Sequence, residues 1–328
     1  MFFSSGAPVP NPEVPERAAR LLQAAQTSGL KAEKPDDYGR EWIGKVHTPR
    51  YLHYFENIFT RWSRIDGASP EVIPGIQPGH RDGGYPASAV GQAGWHHSDT
   101  ASPITRDTWG SALWSAHSAT HAAVQVVAGD SAAYALCRPP GHHASAEVAG
   151  GFCYFNNTAI AAEVLRSTHE RVAILDVDVH HGNGTQSIFY RRSDLLTVSI
   201  HADPVRFYPF FWGYPEECGD GEGLGFNCNL PLNRGTADDD YANTLSAAIE
   251  RIRTFDPGAL VVALGLDAYL GDPLRGLAVT TGGFGRIGEQ VGTLRLPTVI
   301  VQEGGYLSDA LGDNLAAFLT GFREKHAV

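Results

Sequence analysis

Ile174-Leu175-Asp176-Val177-Asp178-Val179-His180-His181 runs from aliphatic residues straight into carboxylates and imidazoles. Residues 171–178 are short, aliphatic and β-branched, the composition of a strand buried on both faces. Stretches at 132–137, 195–200, 259–266 and 297–301 share that character, and a further strand at 227–232 follows a turn-rich loop. Helical stretches at 157–170, 236–255 and 283–294 lie between most of them; another at 108–128 precedes the first strand and one at 309–325 closes the chain. Thr236-Ala237-Asp238-Asp239 has the form of a capping box. Strand alternating with helix predicts an α/β fold, a single domain over 1–328 with a mainly parallel sheet covered by helices on both faces.

Such sheets bind ligands just beyond the carboxyl ends of their strands. Here those ends read Cys137-Arg-Pro-Pro-Gly-His-His143, Asp176-Val-Asp-Val-His-His181, His201-Ala-Asp203, Asp267 and Glu303-Gly-Gly-Tyr306. Asp176, Asp178 and His180 share parity, so an extended backbone points all three to one side. Asp178 and His180 could simply cap a strand and pair with each other. With Asp267 ending a neighbouring strand and two more histidines close by, a two-carboxylate, one-imidazole metal site with an open position is the better reading. His142 and His143 follow a Pro-Pro-Gly turn and suit proton transfer from a water and to a leaving amine. Each ring needs a partner for its other nitrogen, and Asp176 and Asn183 are the candidates. Two glycines before Tyr306 let its phenol turn back toward the site as an oxyanion donor.

Composition narrows the alternatives. The 328 residues carry a formal charge of −11, and no Lys/Arg cluster exceeds a dipeptide, which excludes a nucleic-acid binder working by phosphate neutralisation. The longest apolar run, near 259–266, is far short of the ~20 residues of a membrane helix. The first residues lack the basic and apolar regions of a secretory signal, so a cytoplasmic location is expected. Cys137, Cys153, Cys218 and Cys228 form no Cys-x-x-Cys and read as ordinary buried thiols. Residues 67–106 contain five prolines, seven glycines and three histidines without a usable period. They read as one long loop, of a length that is usually functional or disordered, with His80, His96 and His97 solvated. Gly219 to Gly225 has the glycine spacing of a dinucleotide loop but no preceding strand, and reads as a turn.

Taken together, Arg138-Pro-Pro-Gly-His-His-Ala144, Gly150-Gly-Phe-Cys-Tyr-Phe-Asn-Asn157, Ile174 to Gln186, Leu266-Asp267 with Asp272-Pro273, and Glu303-Gly-Gly-Tyr306, with Lys45-Val46-His47 and Tyr51-Leu52 near the start, resemble the zinc-dependent deacetylases of the arginase–deacetylase fold. That group joins class II histone deacetylases, bacterial histone-deacetylase-like amidohydrolases and acetylpolyamine amidohydrolases. The resemblance implies Zn²⁺ on Asp178, His180 and Asp267, a tandem acid/base pair in His142 and His143, and an electrophilic hydroxyl on Tyr306. It implies a substrate tunnel at Gly151, Phe152 and Tyr208. It also implies a structural K⁺ held by the Asp176 side chain, the Ser199 hydroxyl and the carbonyls of Asp178, His180 and Ile200, and a second monovalent-cation site near Phe189 and Leu195. The related arginases need Asp-x-His-x-Asp and Asp-x-Asp; Gly182 and Tyr269 stand in the extra carboxylate positions, which disfavours a binuclear ureohydrolase. An Asp₂His site could also hold Fe²⁺ or Co²⁺.

For substrate, Arg61-Trp62, Glu71-Val-Ile-Pro74, Gly91-Gln-x-Gly94, Asp107-Thr-Trp109, His201-Ala-Asp-Pro204 and Gly213-Tyr-Pro-Glu-Glu217 resemble acetylpolyamine amidohydrolases more than protein deacetylases. This implies hydrolysis of small N-acetyl amines and a homodimer formed through the 67–106 loop. Asp99, Glu216, Glu217, Asp220 and Glu222 could rim the mouth and attract a cationic amine. Leu274 stands where polyamine-specific deacetylases of higher organisms have a glutamate. Hydrolysis of acetyl-lysine in proteins is the alternative.

Overall fold

Residues 172–176 and 259–264 are apolar almost throughout and wholly buried, which leaves their backbone polar groups to be satisfied by neighbouring strands. The computed structural model describes residues 2–4 and 6–326. An amino-terminal hairpin, β1 (Phe2–Ser4) and β2 (Ala7–Val9), leads into α1 (Pro15–Thr27), α2 (Glu41–Val46), α3 (Pro49–Trp62), α4 (Ala89–His96) and α5 (Thr108–Val127). The alternating part follows as β3 (Ala132–Ala135), α6 (Asn157–Arg166), β4 (Val172–Asp176), α7 (Asn183–Phe189), β5 (Leu195–Ala202) and β6 (Asn227–Leu232). It ends with α8 (Asp238–Phe255), β7 (Ala259–Leu264), α9 (Thr281–Gly292), β8 (Thr298–Gln302) and α10 (Leu311–His326).

Six strands form one sheet in the order β3-β8-β7-β4-β5-β6, with every neighbouring pair parallel. Strand periodicity assigns alternate residues to opposite cores. Val172 and Ile174 pack with Phe55, Ala116, Ile160 and Val164 on the α3, α5 and α6 face. Ala173 and Leu175 pack with Leu21, Leu245, Phe284 and Phe318 on the face of α1, α8, α9 and α10. The expected parallel sheet with two helical layers is present, and because its strands are parallel, the polar ends of β3, β4, β7 and β8 meet on one edge.

Several local expectations fail for identifiable reasons. β4 ends at Asp176, so the parity argument does not reach Asp178 and His180, which lie in the turn beyond it. The 67–106 segment contains the helix α4, capped by the Ser88 hydroxyl at Gly91 N–H. His96 and His97 are buried instead of solvated: His96 Nδ1 bonds the Glu147 carbonyl at 2.7 Å, and His97 bridges the carbonyls of Ala93 and Ser102 at 2.8 and 3.0 Å. The capping box is absent. α8 has no side-chain cap, and the Asp238 carboxylate accepts instead from the N–H and hydroxyl of Thr280 at 2.8 and 2.6 Å, joining the starts of α8 and α9. All four cysteines are free, but only Cys137 and Cys153 are buried; Cys218 is exposed. Among the described residues no helix is long and apolar enough to cross a membrane.

Candidate active site

Asp178 and His180, beyond β4, meet Asp267, beyond β7, which β4 adjoins in the sheet. One ligand atom from each lies within 4.8 Å of the others, and all three residues are buried. His180 Nδ1 stands 3.1 Å from Asp178 Oδ1 and 3.2 Å from Asp267 Oδ2, and one ring nitrogen cannot serve both carboxylates. Asp267 Oδ2 has no hydrogen-bond partner, whereas Oδ1 accepts from Val179 N–H at 3.0 Å. Burial opposes charge on His180, yet the two carboxylates beside its Nδ1 push its pKa up to about 9. Burial and Asp178 together push the Asp267 carboxyl above its ordinary value. Two buried carboxylates around one imidazole, with an oxygen left over, are a donor set that needs a cation. The three residues therefore fit a divalent metal.

Close packing fixes this arrangement. Gly304 N–H donates to Asp178 Oδ2 at 2.8 Å, and a Cβ at Gly304 would strike the carboxylates of both Asp267 and Asp178. Only glycine lets the chain after β8 pass so close.

The turn after β3 carries the tandem histidines, with ring centroids 4.1 Å apart. His142 Nδ1 donates to Asp176 Oδ2 at 2.9 Å, and His143 Nδ1 donates to Asn183 Oδ1 at 2.7 Å, the two partners expected from the sequence. Burial works against charge on His142, but Asp176, Asp178 and Glu303 outweigh it and hold the ring well above the usual imidazole value. For His143, burial, His142 and His180 act in the same direction and push it well below. The two rings are thus pushed in opposite directions, His142 toward the charged form and His143 toward the neutral one.

A cavity of about 300 Å³ opens onto these groups, walled by Gly151, Phe152, Phe207, Tyr208, Leu274 and Tyr306, with Phe2 and Phe3 of the hairpin at its mouth. Phe152 meets Tyr306 edge-on at 5.8 Å and Phe2 edge-on at 5.3 Å. Burial and Asp267 hold the Tyr306 phenol well above its ordinary pKa, so it stays a donor. Asp99 Oδ2 accepts from Tyr208 OH at 2.7 Å and from Gly151 N–H at 3.0 Å, tying the 67–106 segment to both walls.

Other expected positions are distributed differently. Asp176 and Ser199 are register partners on β4 and β5, with Ser199 Oγ 2.8 Å from His201 Nδ1. His201 is buried beneath the site and bonds the Gly213 carbonyl. Near Phe189 the Arg192 guanidinium lies 5.5 Å from the ring centroid and pairs with Glu163 and Asp194. Glu217 is not a rim charge: its Oε2 accepts from Gln186 Nε2 (2.7 Å), Gly213 N–H (2.9 Å) and Asn229 Nδ2 (3.2 Å). Asp220 pairs with Arg191.

Arg17, which the sequence reading passed over, is 1% exposed on α1. Its Nε donates to the Gly305 carbonyl at 2.5 Å and Nη2 to the Glu303 carbonyl at 2.7 Å, and the guanidinium lies 5.0 Å from the Tyr306 ring centroid. Pro15-Glu16-Arg17-Ala18 looks like any exposed helix start, so no local signal marks it. Arg17→Met is expected to leave the Gly305 carbonyl unpaired, at about 1–3 kcal/mol, and the Glu303 carbonyl with only the 3.4 Å bond from Gln302 Nε2, lowering the thermal midpoint and loosening Tyr306. A calorimetric scan matching wild type would contradict this.

Parallel sheet, buried metal-fitting triad, paired imidazoles and buried phenol at one edge define a hydrolase acting on amides, on the arginase–deacetylase fold. The histone deacetylase domain model matches residues 11–322, and the chain belongs to that family. It is 48% identical over 322 residues to the acetylpolyamine amidohydrolase of Burkholderia pseudomallei, covering 98% of this chain and 94% of the relative. To acetylpolyamine amidohydrolase 1 of Pseudomonas aeruginosa it is 42% identical over 315 residues, covering 94% and 91%. The crystal structure of the acetylpolyamine aminohydrolase from Burkholderia pseudomallei superposes with a TM-score of 0.94 at 48% identity, over 98% of this chain and 94% of that one.

Proposed function

We propose that this protein is a zinc-dependent deacetylase of acetylated polyamines or similar small acetylated amines, releasing acetate and free amine. The triad with its unsatisfied Asp267 Oδ2, whose Asp178 and His180 line one cavity with His143 and Tyr306, is the observation that carries the reading. The relatives named above support the substrate class.

Zn²⁺ held by Asp178, His180 and Asp267 would supply Lewis acidity to the acyl carbonyl and to the attacking water. His143, with Nδ1–H committed to Asn183, keeps Nε2 free to take the proton of that water and later to deliver it to the leaving amine. His142, held as a cation on Asp176, adds positive charge beside the developing oxyanion. Tyr306 donates its phenolic proton as a hydrogen bond to the same oxygen. Phe152 and Tyr208 would flank the methylene chain of such a substrate, and the Asp99 carboxylate behind the Tyr208 hydroxyl would attract its ammonium.

Tyr306→Phe is expected to lower kcat by ~10²–10³ with KM little changed, the signature of a lost oxyanion donor. An equal rise in KM at unchanged kcat would remove Tyr306 from that role. The function itself is tested by acetate release from N-acetylputrescine: chelation should abolish it and added Zn²⁺ restore it. Turnover that survives complete removal of metal would overturn the reading.

Potassium at Asp176, Ser199 and the neighbouring carbonyls, a cytoplasmic location and a homodimer belong to the same proposal. Ile76, Tyr85 and Val90 expose apolar surface on the 67–106 segment, the element whose Asp99 and Ala101 reach the cavity, so a partner docked there would narrow the mouth.

A further inference from the structure

Glu303 is wholly buried just beyond the carboxyl end of β8, and beyond the pull of its charge on His142 the mechanism above gives it no role. Its Oε2 accepts from the N–H groups of Gly141 at 2.6 Å and His142 at 3.0 Å, and its Oε1 from the Thr158 hydroxyl, near the start of α6, at 2.6 Å. Its own carbonyl is held by Arg17 at 2.7 Å. One residue further, Gly304 N–H is on Asp178; three residues further, Tyr306 N–H donates to Asp272 Oδ2 at 2.9 Å. A single side chain thus fastens the main chain of the tandem-histidine turn to the segment that carries Tyr306.

A carboxylate is a costly group to bury, and burial pushes this one up to about 7 against the opposing pull of His142. An apolar residue of the same size would avoid that cost, but would leave two buried N–H groups facing no acceptor. The turn is also pressed against α6, since a Cβ at Gly141 would collide with the main chain of Asn157 and Phe155, so it cannot relax outward without moving the helix start.

We propose that Glu303 is a positioning residue for amide hydrolysis: by holding the main chain of Gly141 and His142 it sets the placement of His142 and His143 relative to Tyr306. This rests on the deacetylase reading and adds a residue that touches neither substrate nor metal. Proton transfer needs heavy atoms about 2.6–3.2 Å apart, and a misplacement of about 1 Å can cost about 10²-fold in rate.

The test compares metal-loaded wild type with Glu303→Gln, which keeps an acceptor oxygen and can donate to Thr158, and Glu303→Met, which keeps the volume without acceptors. On N-acetylputrescine the Gln variant is expected to stay close to wild type, and the Met variant to lose about 10²-fold in kcat at nearly unchanged KM. In ¹⁵N-histidine spectra of the same samples, the resonances of His143, which does not feel the Glu303 charge directly, should move in the Met variant and not in the Gln variant. Wild-type kcat in the Met variant, an equal loss in the Gln variant, or unmoved His143 resonances in the Met variant would each overturn the proposal. If the Met variant does not fold, Thr158→Val takes its place: about a tenfold loss in kcat, as for a supporting hydrogen bond removed one shell away, is expected, and no change would overturn it. A wild type inactive on every acetylated amine would instead sink the deacetylase reading, and the histidine spectra would still decide what Glu303 does.

Discussion

Asp267→Asn is expected to abolish turnover and strip the protein of its metal while leaving the fold intact. The asparagine Oδ1 can keep the hydrogen bond from Val179 N–H, and the atom replaced by an amide is the oxygen that has no hydrogen-bond partner in the protein. The substitution therefore removes a metal ligand without breaking a structural contact. Lewis acidity and the lowered pKa of water together are worth several kcal/mol of barrier, so a loss of about 10⁴-fold or more follows. Stability should move the other way. Burial and Asp178 raise the Asp267 pKa above 3.8, and a carboxyl raised in the folded state costs stability once the pH exceeds its unfolded value. At pH 7 the metal-free variant should melt at or above metal-free wild type, whereas wild type alone should gain stability on adding metal. Elemental analysis and paired melting curves read both effects; full metal content in an inactive variant would remove Asp267 from the ligand set.

His143→Ala is expected to lower kcat by ~10²–10⁴, the range for a general acid–base group. Its base form is favoured by burial and by two neighbours, His142 and His180, acting in the same direction. The pH dependence follows in sign. As pH falls, wild-type kcat/KM should decline when His143 takes up a proton, and the decline should set in below the ordinary imidazole value of 6.5. His143→Ala should lose that limb of the profile. A variant that keeps both wild-type kcat and the acid limb would assign the base to another group, with His142 the first candidate.

Much of the site could be read from the chain because a parallel sheet turns sequence order into spatial convergence. Polar residues directly after buried strands had to meet at one edge, and Asp178, His180, Asp267, His142, His143 and Tyr306 do. The route to Asp178 and His180 was different from the one parity suggested, since β4 stops at Asp176 and a turn, not a strand, brings them round. What could not be read depends on contacts between distant segments. Arg17 reaches the carbonyls of Glu303 and Gly305 from the other end of the chain. α4 has two glycines and almost no polar face, so it lacks the period that identifies a surface helix. Its terminal His96, and His97 beside it, become buried structural groups only because 67–106 packs against Glu147 and turns back on itself at Ser102. Glu217 looked like a solvated charge until Gln186, Asn229 and Gly213 were seen to converge on it.

The most direct test is kcat/KM of the zinc-loaded protein on N-acetylputrescine, N-acetylcadaverine and N-acetylspermidine against acetyl-lysine peptides flanked on both sides. A preference for the free amines of at least tenfold, about 1.4 kcal/mol in transition-state binding, is the predicted result. Equal or better turnover of the flanked peptides would contradict it and leave a protein deacetylase.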